Sequence, residues 1–283
     1  MKVTFYGVRG SIATPGRHTV KYGGNTSCVL VEPDVEVVLV FDAGTGIRDL
    51  GQLLAPDSRE IHLIFSHHHW DHIQGLPFFK PIYQKGRPIH LMTNHIDKGN
   101  AMSVLDQMVD PHFPVTGAQL FANVKVLPFG QRGEIEIGSA RVSTLPLNHP
   151  GGGSAYRVET DSGSLVYITD NELFPPGEAR TSYAQWVEFV SGVDLLIHDA
   201  MYLDSELPQI HGWGHSLISQ ALQLALDGRV KHFVLFHHDP ARSDTQLDKI
   251  LADSREWMAQ HTAGTEVYLA AEGDSYQLTR TQG

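Results

Sequence analysis

The sequence predicts an α/β fold in which two packed β-sheets are flanked by helices. Short apolar runs rich in Val, Ile, Leu and Phe recur between Gly- and Pro-containing turns, which is the pattern of strands. These runs form two sets, and helical periodicity follows each set, as expected when helices cover the outer faces of sheets. No Pro/Ser-rich linker, low-complexity tract or short repeat divides the chain. Residues 1–283 therefore read as one domain, although roughly 150 residues per domain would allow two.

The first strands are expected at Val3–Tyr6, Ser27–Val31, Val35–Phe41 and Ile61–Phe65. Val35–Phe41 is apolar except for Glu36, as a strand buried on both faces should be. A weaker helical pattern runs from Asp97 to Val109. The stretch 77–121 interrupts the strand rhythm and carries Phe78, Phe79, Tyr83, Met102, Met108 and Phe113. It reads either as local packing or as an insertion forming a substrate-pocket wall. The second set comprises Lys125–Pro128, Arg141–Leu145, Ala155–Glu159, Ser164–Thr169, Asp194–His198, His232–Phe236 and Glu266–Ala270. Leu217, Ala221, Leu224 and Ala225 line one face of a helix after Ser216. Leu247, Ile250, Leu251, Trp257 and Met258 line another, opened by a capping box from Ser243 to Gln246.

Composition narrows the function classes. Hydrophobic residues are 41% and charged residues 19% of the chain, enough for a core and too little charge for disorder. The net charge of −11, with no block of Lys or Arg, argues against a protein that grips nucleic acid by neutralising phosphates. A single cysteine, Cys28, excludes intramolecular disulfides and multi-cysteine zinc cages. The opening MKVTFYGVRG lacks an apolar signal core, and no run of about 18 apolar residues occurs. A cytoplasmic protein without membrane partners is expected. Seventeen histidines stand out, because imidazole is the commonest protein metal ligand.

Those histidines concentrate in Ser66-His67-His68-His69-Trp70-Asp71-His72, directly after the strand Ile61–Phe65. In extended backbone His67 and His69 face the same way and His68 faces elsewhere. Asp71 and His72 then begin a helix. A lone histidine is ordinarily a surface or core residue, but three histidines and an aspartate at this spacing after a buried strand offer two sets of ligands for zinc or a similar divalent ion.

The pattern at His67, His69, Asp71 and His72 resembles the H-x-H-x-D-H motif of the metallo-β-lactamase superfamily. Later residues follow in that family's order: His149 in Leu147-Asn148-His149-Pro150, Asp170 after Tyr167-Ile168-Thr169, and His237 after Phe233–Phe236. The resemblance implies a four-layer αββα sandwich of two mixed sheets. It also implies two divalent metal ions, zinc first and manganese or iron as alternatives. His67, His69 and His149 would hold one ion, Asp71, His72 and His237 the other, and Asp170 would bridge them. His238 is a rival to His237, and a chain segment of the form Val-Leu-Phe before the ligand favours His237.

Within the superfamily, the absence of a late cysteine sets this chain apart from lactamases. His69 stands where di-iron oxygen reductases carry a carboxylate. Leu196-Ile197-His198-Asp199-Ala200 resembles the His-Glu-Ala segment of ribonuclease Z, with Asp199 in place of glutamate. Gly214-His215-Ser216 resembles a segment shared with phosphoribosyl cyclic phosphodiesterases. That likeness implies that His215 protonates the leaving oxygen and Asp199 orients it. Asp71 is counted as both ligand and catalytic carboxylate. A helix dipole would lower the His215 pKa and a nearby carboxylate would raise it, keeping an acid useful near neutrality; simple capping of the helix is the competing role.

The N-terminal segments Gly7–Ser11 and Tyr22–Ser27 resemble loops of the same enzymes, so Arg9, Asn25 and Gly151–Gly153 are candidates to contact phosphate; tight turns are the competing role of these glycines. The expected activity is binuclear hydrolysis of a small phosphodiester, cyclic ones included, by a metal-bridging hydroxide. A lactone or thioester hydrolase is the alternative, and an RNA-processing nuclease follows it. Charge and the lack of a basic arm argue against a large nucleic-acid partner; a homodimer is left open.

Overall fold

A computed structural model describes residues 1–93, 101–130 and 133–279. The chain begins with β1 (Lys2–Gly7), β2 (Cys28–Glu32) and β3 (Val37–Phe41), followed by helix α1 (Ile47–Leu54) and β4 (Glu60–Ile64). The short helix α2 (Trp70–Ile73), β5 (Pro88–Met92) and β6 (Asn123–Val126) complete the first half. The second half runs through β7 (Glu134–Ile137), β8 (Ala140–Pro146), β9 (Ser154–Thr160) and β10 (Gly163–Ile168). Helix α3 (Tyr183–Val190), β11 (Leu195–Asp199), α4 (Leu207–Ile210), α5 (Ile218–Asp227), β12 (His232–Phe236), α6 (Asp244–His261), β13 (Glu266–Leu269) and β14 (Ser275–Gln277) end it.

Two seven-stranded mixed sheets result, in the orders β14-β1-β2-β3-β4-β5-β6 and β13-β12-β11-β10-β9-β8-β7. Each changes from antiparallel to parallel pairing partway across, at β3·β4 and at β10·β11. The sheets face each other across a core that includes Val3, Phe5, Leu39, Phe41, Tyr156, Tyr167, Val234 and Phe236. A second core packs the outer face of one sheet on α1 through Ile47, Leu50 and Leu54. A third packs the other sheet on α3, α5 and α6 through Trp186, Leu224 and Leu247. This is the four-layer αββα sandwich. The all-apolar strand β3 is buried at every residue, as expected for a strand with neighbours on both sides and layers on both faces.

The expected helix from Asp97 to Val109 has its first residues, 97–100, outside the described part of the chain. Within it, Ala101–Gln107 is 3-10 helix; Met102 belongs to this turn. Three strands were not foreseen. β5 begins with Pro88 and carries His90, β7 alternates Glu with Ile, and β14 has only three residues. Each takes its strand geometry from the neighbour it pairs with. The capping box at the start of α6 is present, with Ser243 accepting from the Gln246 amide.

Candidate active site

Parallel pairing aligns the C-terminal ends of β3, β4, β10, β11 and β12 along one rim of the sandwich, where loops can present side chains. His67, His69, Asp71 and His72 leave β4, Asp170 leaves β10, Asp199 ends β11 and His237 leaves β12. His149 joins them from the loop after β8. Asp42, Asp170 and His237 adopt φ of +60°, +51° and +59°. This sparsely populated conformation persists only where surrounding contacts impose it. Gly10 and Gly214 make room for the rings. A Cβ on Gly10 would lie 2.5 Å from the His237 imidazole, and one on Gly214 would lie 2.2 Å from His149 Nδ1.

The side chains converge in two groups, His67/His69/His149 and Asp71/His72/Asp170/His237, with ligand atoms in each group within 4.8 Å of one another. Asp170 faces both. Its Oδ2 is 3.0 Å from His72 Nε2 and 3.1 Å from His237 Nε2. Its Oδ1 is 3.8 Å from His67 Nε2 and 3.9 Å from His149 Nε2. Asp71 Oδ2 lies 3.1 Å from His72 Nε2 and 3.3 Å from His237 Nε2. His68 diverges from both groups, and its Nδ1 meets Ser103 Oγ at 3.0 Å. His238 also turns away, donating through Nε2 to the Ala270 carbonyl.

The electrostatics suit a divalent cation. Burial, and then His72, drive His67 well below the ordinary imidazole value. Burial brings His149 down to about 4 and lowers His69 as well. Neutral imidazoles with available lone pairs are what a metal needs. Burial opposes ionisation of Asp71 and Asp170, yet the surrounding histidines hold both carboxyls well below the usual carboxylate range. Burial opposes a proton on His72, but Asp71, Asp170 and Asp42 raise its pKa nonetheless. The field that holds a proton there also attracts a metal ion. His67 Nε2 is buried without a hydrogen-bond partner, a costly arrangement unless an ion held by its own group satisfies it.

His215 stands beside these groups. Its Nδ1 is 2.8 Å from Asp199 Oδ2, and its ring stacks on His237 with centroids 5.2 Å apart. Asp199 is fully buried and also accepts from the amides of Met201 and Asn171. Burial works against a charged His215, but Asp199 outweighs it, with help from Asp170 and Asp71, and lifts the pKa to about 9. The expected helix-dipole contribution is not there, because α5 starts at Ile218 and His215 lies in the preceding loop. Ser216 does not cap that helix; its hydroxyl donates to the Asn171 carbonyl.

In the N-terminal loops, Arg9 and Asn25 are engaged within the fold. Arg9 is fully buried and donates to the carbonyls of Gly23, Asp239 and Arg242. Asn25 is tied to Glu272 and Thr45. These side chains hold loops together and are not presented to a ligand. Gly151 and Gly152, by contrast, line a cavity of about 850 Å³ with His68, His69, Trp70, Phe78 and Phe113. In the stretch 77–121, Phe79 and Met108 are core residues, while Phe78 and Phe113 line this cavity.

Two contributors escaped sequence reading. Asp42 accepts from Tyr167 at 2.8 Å and from Ser66, and lies 2.9 Å from His72 Nδ1. It therefore orients the ring. Glu172 accepts from the amides of Gly212 and Gly214, pinning the loop whose Gly214 carbonyl meets His149 Nδ1 at 2.9 Å. The position of Asp42 directly after an apolar strand, like Asp170, was the signal available for it.

Comparison with known proteins follows this geometry. Residues 38–238 match the model of the beta-lactamase superfamily domain. A ribonuclease Z of Thermoplasma acidophilum is 23% identical over 90% of this chain and 91% of its own. The crystal structure of the metallo-beta-lactamase fold protein YhfI from Bacillus subtilis superposes with a TM-score of 0.69 at 18% identity, covering 97% of this chain and 98% of that one. A diphosphatase of the PhnP family does so with a TM-score of 0.67 at 21% identity, covering 99% of each chain. The expectation that a large nucleic acid is no partner is overturned by the ribonuclease relatives. A net charge sums the whole chain and does not describe the field at one rim, which bound cations can invert.

Proposed function

The chain belongs to the β-lactamase superfamily, and as a metal-dependent hydrolase of that family it acts, we propose, on phosphodiester bonds in RNA. His67, His69 and His149 would hold one divalent ion, Asp71, His72 and His237 a second, and Asp170 would reach both. When bound, the ions supply an activated water nucleophile and neutralise charge developing on the phosphoryl oxygens. The remaining work belongs to the chain. With Nδ1 engaged by Asp199, His215 carries the transferable proton on Nε2, at the far edge of its ring, and delivers it to the leaving ribose oxygen. Asp42 and the Gly214 carbonyl fix His72 and His149 in one orientation each, as outer partners of ligating histidines do.

The observation that carries this reading is the His215–Asp199 pair beside the two ligand groups. A thioester expels a thiolate that leaves readily without a proton, whereas the far more basic ribose alkoxide expelled from phosphorus needs such an acid. The ribonuclease relatives support RNA as the class of diester. Trp70 and Phe78, 78% and 59% exposed on the cavity beside His69, support it too, because exposed aromatic faces are platforms on which bases stack.

The test is a substrate panel for the purified, zinc-loaded protein: an RNA oligonucleotide, 2′,3′- and 3′,5′-cyclic nucleotides, bis-p-nitrophenyl phosphate, and lactones with a thioester. Cleavage of RNA and of the aryl diester is expected. Turnover of cyclic nucleotides with RNA intact would move the substrate to small diesters. Turnover of the lactones or thioester alone would overturn the phosphodiesterase reading.

A further inference from the structure

A second cluster of metal-ligating side chains sits toward the opposite end of β4. Glu60 and His62, two residues apart on that strand, share a face. His90 lies directly across from His62 in the parallel pair β4·β5. The two imidazoles stack with centroids 4.7 Å apart and planes at 22°. Glu60 Oε1 is 3.5 Å from His62 Nε2 and contacts His90 Nε2. The three ligand atoms lie within 4.8 Å of one another. Along β4, five residues at about 3.3 Å each separate His62 from His67, roughly 16 Å, so this cluster does not belong to the active-site groups.

We propose that Glu60, His62 and His90 form a mononuclear site for a divalent transition-metal ion, zinc above all. Two imidazoles and one carboxylate are a donor set that zinc accepts, with its fourth position left to water; magnesium and calcium prefer oxygen alone. The His62 side chain is only 5% exposed and the His90 side chain 12%, so both imidazoles hold their nitrogens largely out of water. Glu60, with its side chain 42% exposed, opens the cluster to solvent and gives an ion its way in. An ion there would clip β4 to β5 and so brace the strand that delivers His67–His72.

The Nδ1 atoms of both rings are buried without hydrogen-bond partners. In the active-site groups, by contrast, His72 and His149 each have an outer partner on Nδ1. Such partners are worth about 10–100-fold in metal affinity, so this site is expected to be weaker than the active-site pair by that order.

The experiment counts zinc alone, by equilibrium dialysis and elemental analysis, on the full chain and on His90→Gln and Glu60→Gln. Neither variant touches the hydrolytic site. Wild type should saturate one equivalent above each variant, with hydrolytic activity equal in all three. Zinc should also raise the melting temperature of wild type further than that of the variants. Equal stoichiometry in wild type and variants would overturn the proposal and leave only a polar contact between Glu60 and His90. Should His90→Gln fail to fold, Glu60→Gln at the exposed rim decides the count by itself. Because the readout is a difference in equivalents, it is independent of whether the active-site pair or its substrate has been read correctly.

Discussion

The two ligand groups share Asp170 but are built differently. In the inner group, Asp71, His72, Asp170 and His237 are all buried, Asp71 accepts from the Ser11 amide, and His72 is held by Asp42. In the outer group, His67 and His149 are buried but His69 is exposed on the cavity beside Trp70. One group is enclosed and braced from several elements; the other keeps an open side. The difference teaches a division of labour. The inner position is suited to retaining an ion, and the outer position to meeting a substrate that enters through the cavity.

Removing the shared residue should erase the contrast. Asp170→Ala is expected to lose both ions by elemental analysis. Its activity should fall by more than the ~10–100-fold typical of losing an outer partner. On the His90→Gln background, where the site at Glu60, His62 and His90 is removed, retention of one full equivalent would show that the groups do not depend on a common carboxylate. Asp42→Asn should sharpen the contrast instead. Without the carboxylate on His72 Nδ1, the tighter of the two active-site metal-binding steps, read on the same His90→Gln background, should weaken by about 10–100-fold in a competition titration, with the weaker step unchanged. Weakening of both steps alike would deny that the inner group is separately braced.

The outer side is probed by Trp70→Ala. A stacked base contributes about 1–3 kcal/mol, so KM for an RNA oligonucleotide should rise about tenfold while methyl p-nitrophenyl phosphate is hydrolysed as before. Unchanged KM for RNA would remove Trp70 from the substrate path. Arg9→Met should have the least effect on turnover. It deletes three hydrogen bonds from a buried guanidinium, a loss of about 3 kcal/mol that lowers the melting temperature of a chain this long by roughly 5 °C. A rise in KM without loss of stability would restore Arg9 as a phosphate contact.

What could be read from the sequence follows the locality of each signal. His67, His69, Asp71 and His72 lie within six positions, and their chemistry and spacing mark them without tertiary information. His149, Asp170 and His237 are single residues, legible only because each follows an apolar strand in an order that a known family shares. Asp42 also follows such a strand, but its meaning lies in contacts with His72, Ser66 and Tyr167 that no local pattern encodes. Arg9 misled for the converse reason. An arginine among glycines suggests an anion site, and only the folded chain shows its guanidinium enclosed by carbonyls. The sheets were legible where strands are apolar on both faces, as in β3, and not where an edge strand such as β7 or β14 depends on its partner. Helix α1, with Ile47, Leu50 and Leu54 on one face, is short, and Gly46 before it and Gly51 within it masked its period.

The central claim is that His215, held by Asp199, protonates the leaving oxygen of a phosphodiester. Its most direct test compares His215→Ala with wild type on two diesters that differ only in leaving group, an alkoxide and p-nitrophenolate, with metal content measured in parallel. The variant should keep its metal and slow the alkyl diester by about 10²–10⁴-fold, the usual contribution of a general acid, while the aryl diester, whose anion needs no proton, suffers far less. Equal slowing of both substrates, or an alkyl rate equal to that of wild type, would contradict the account.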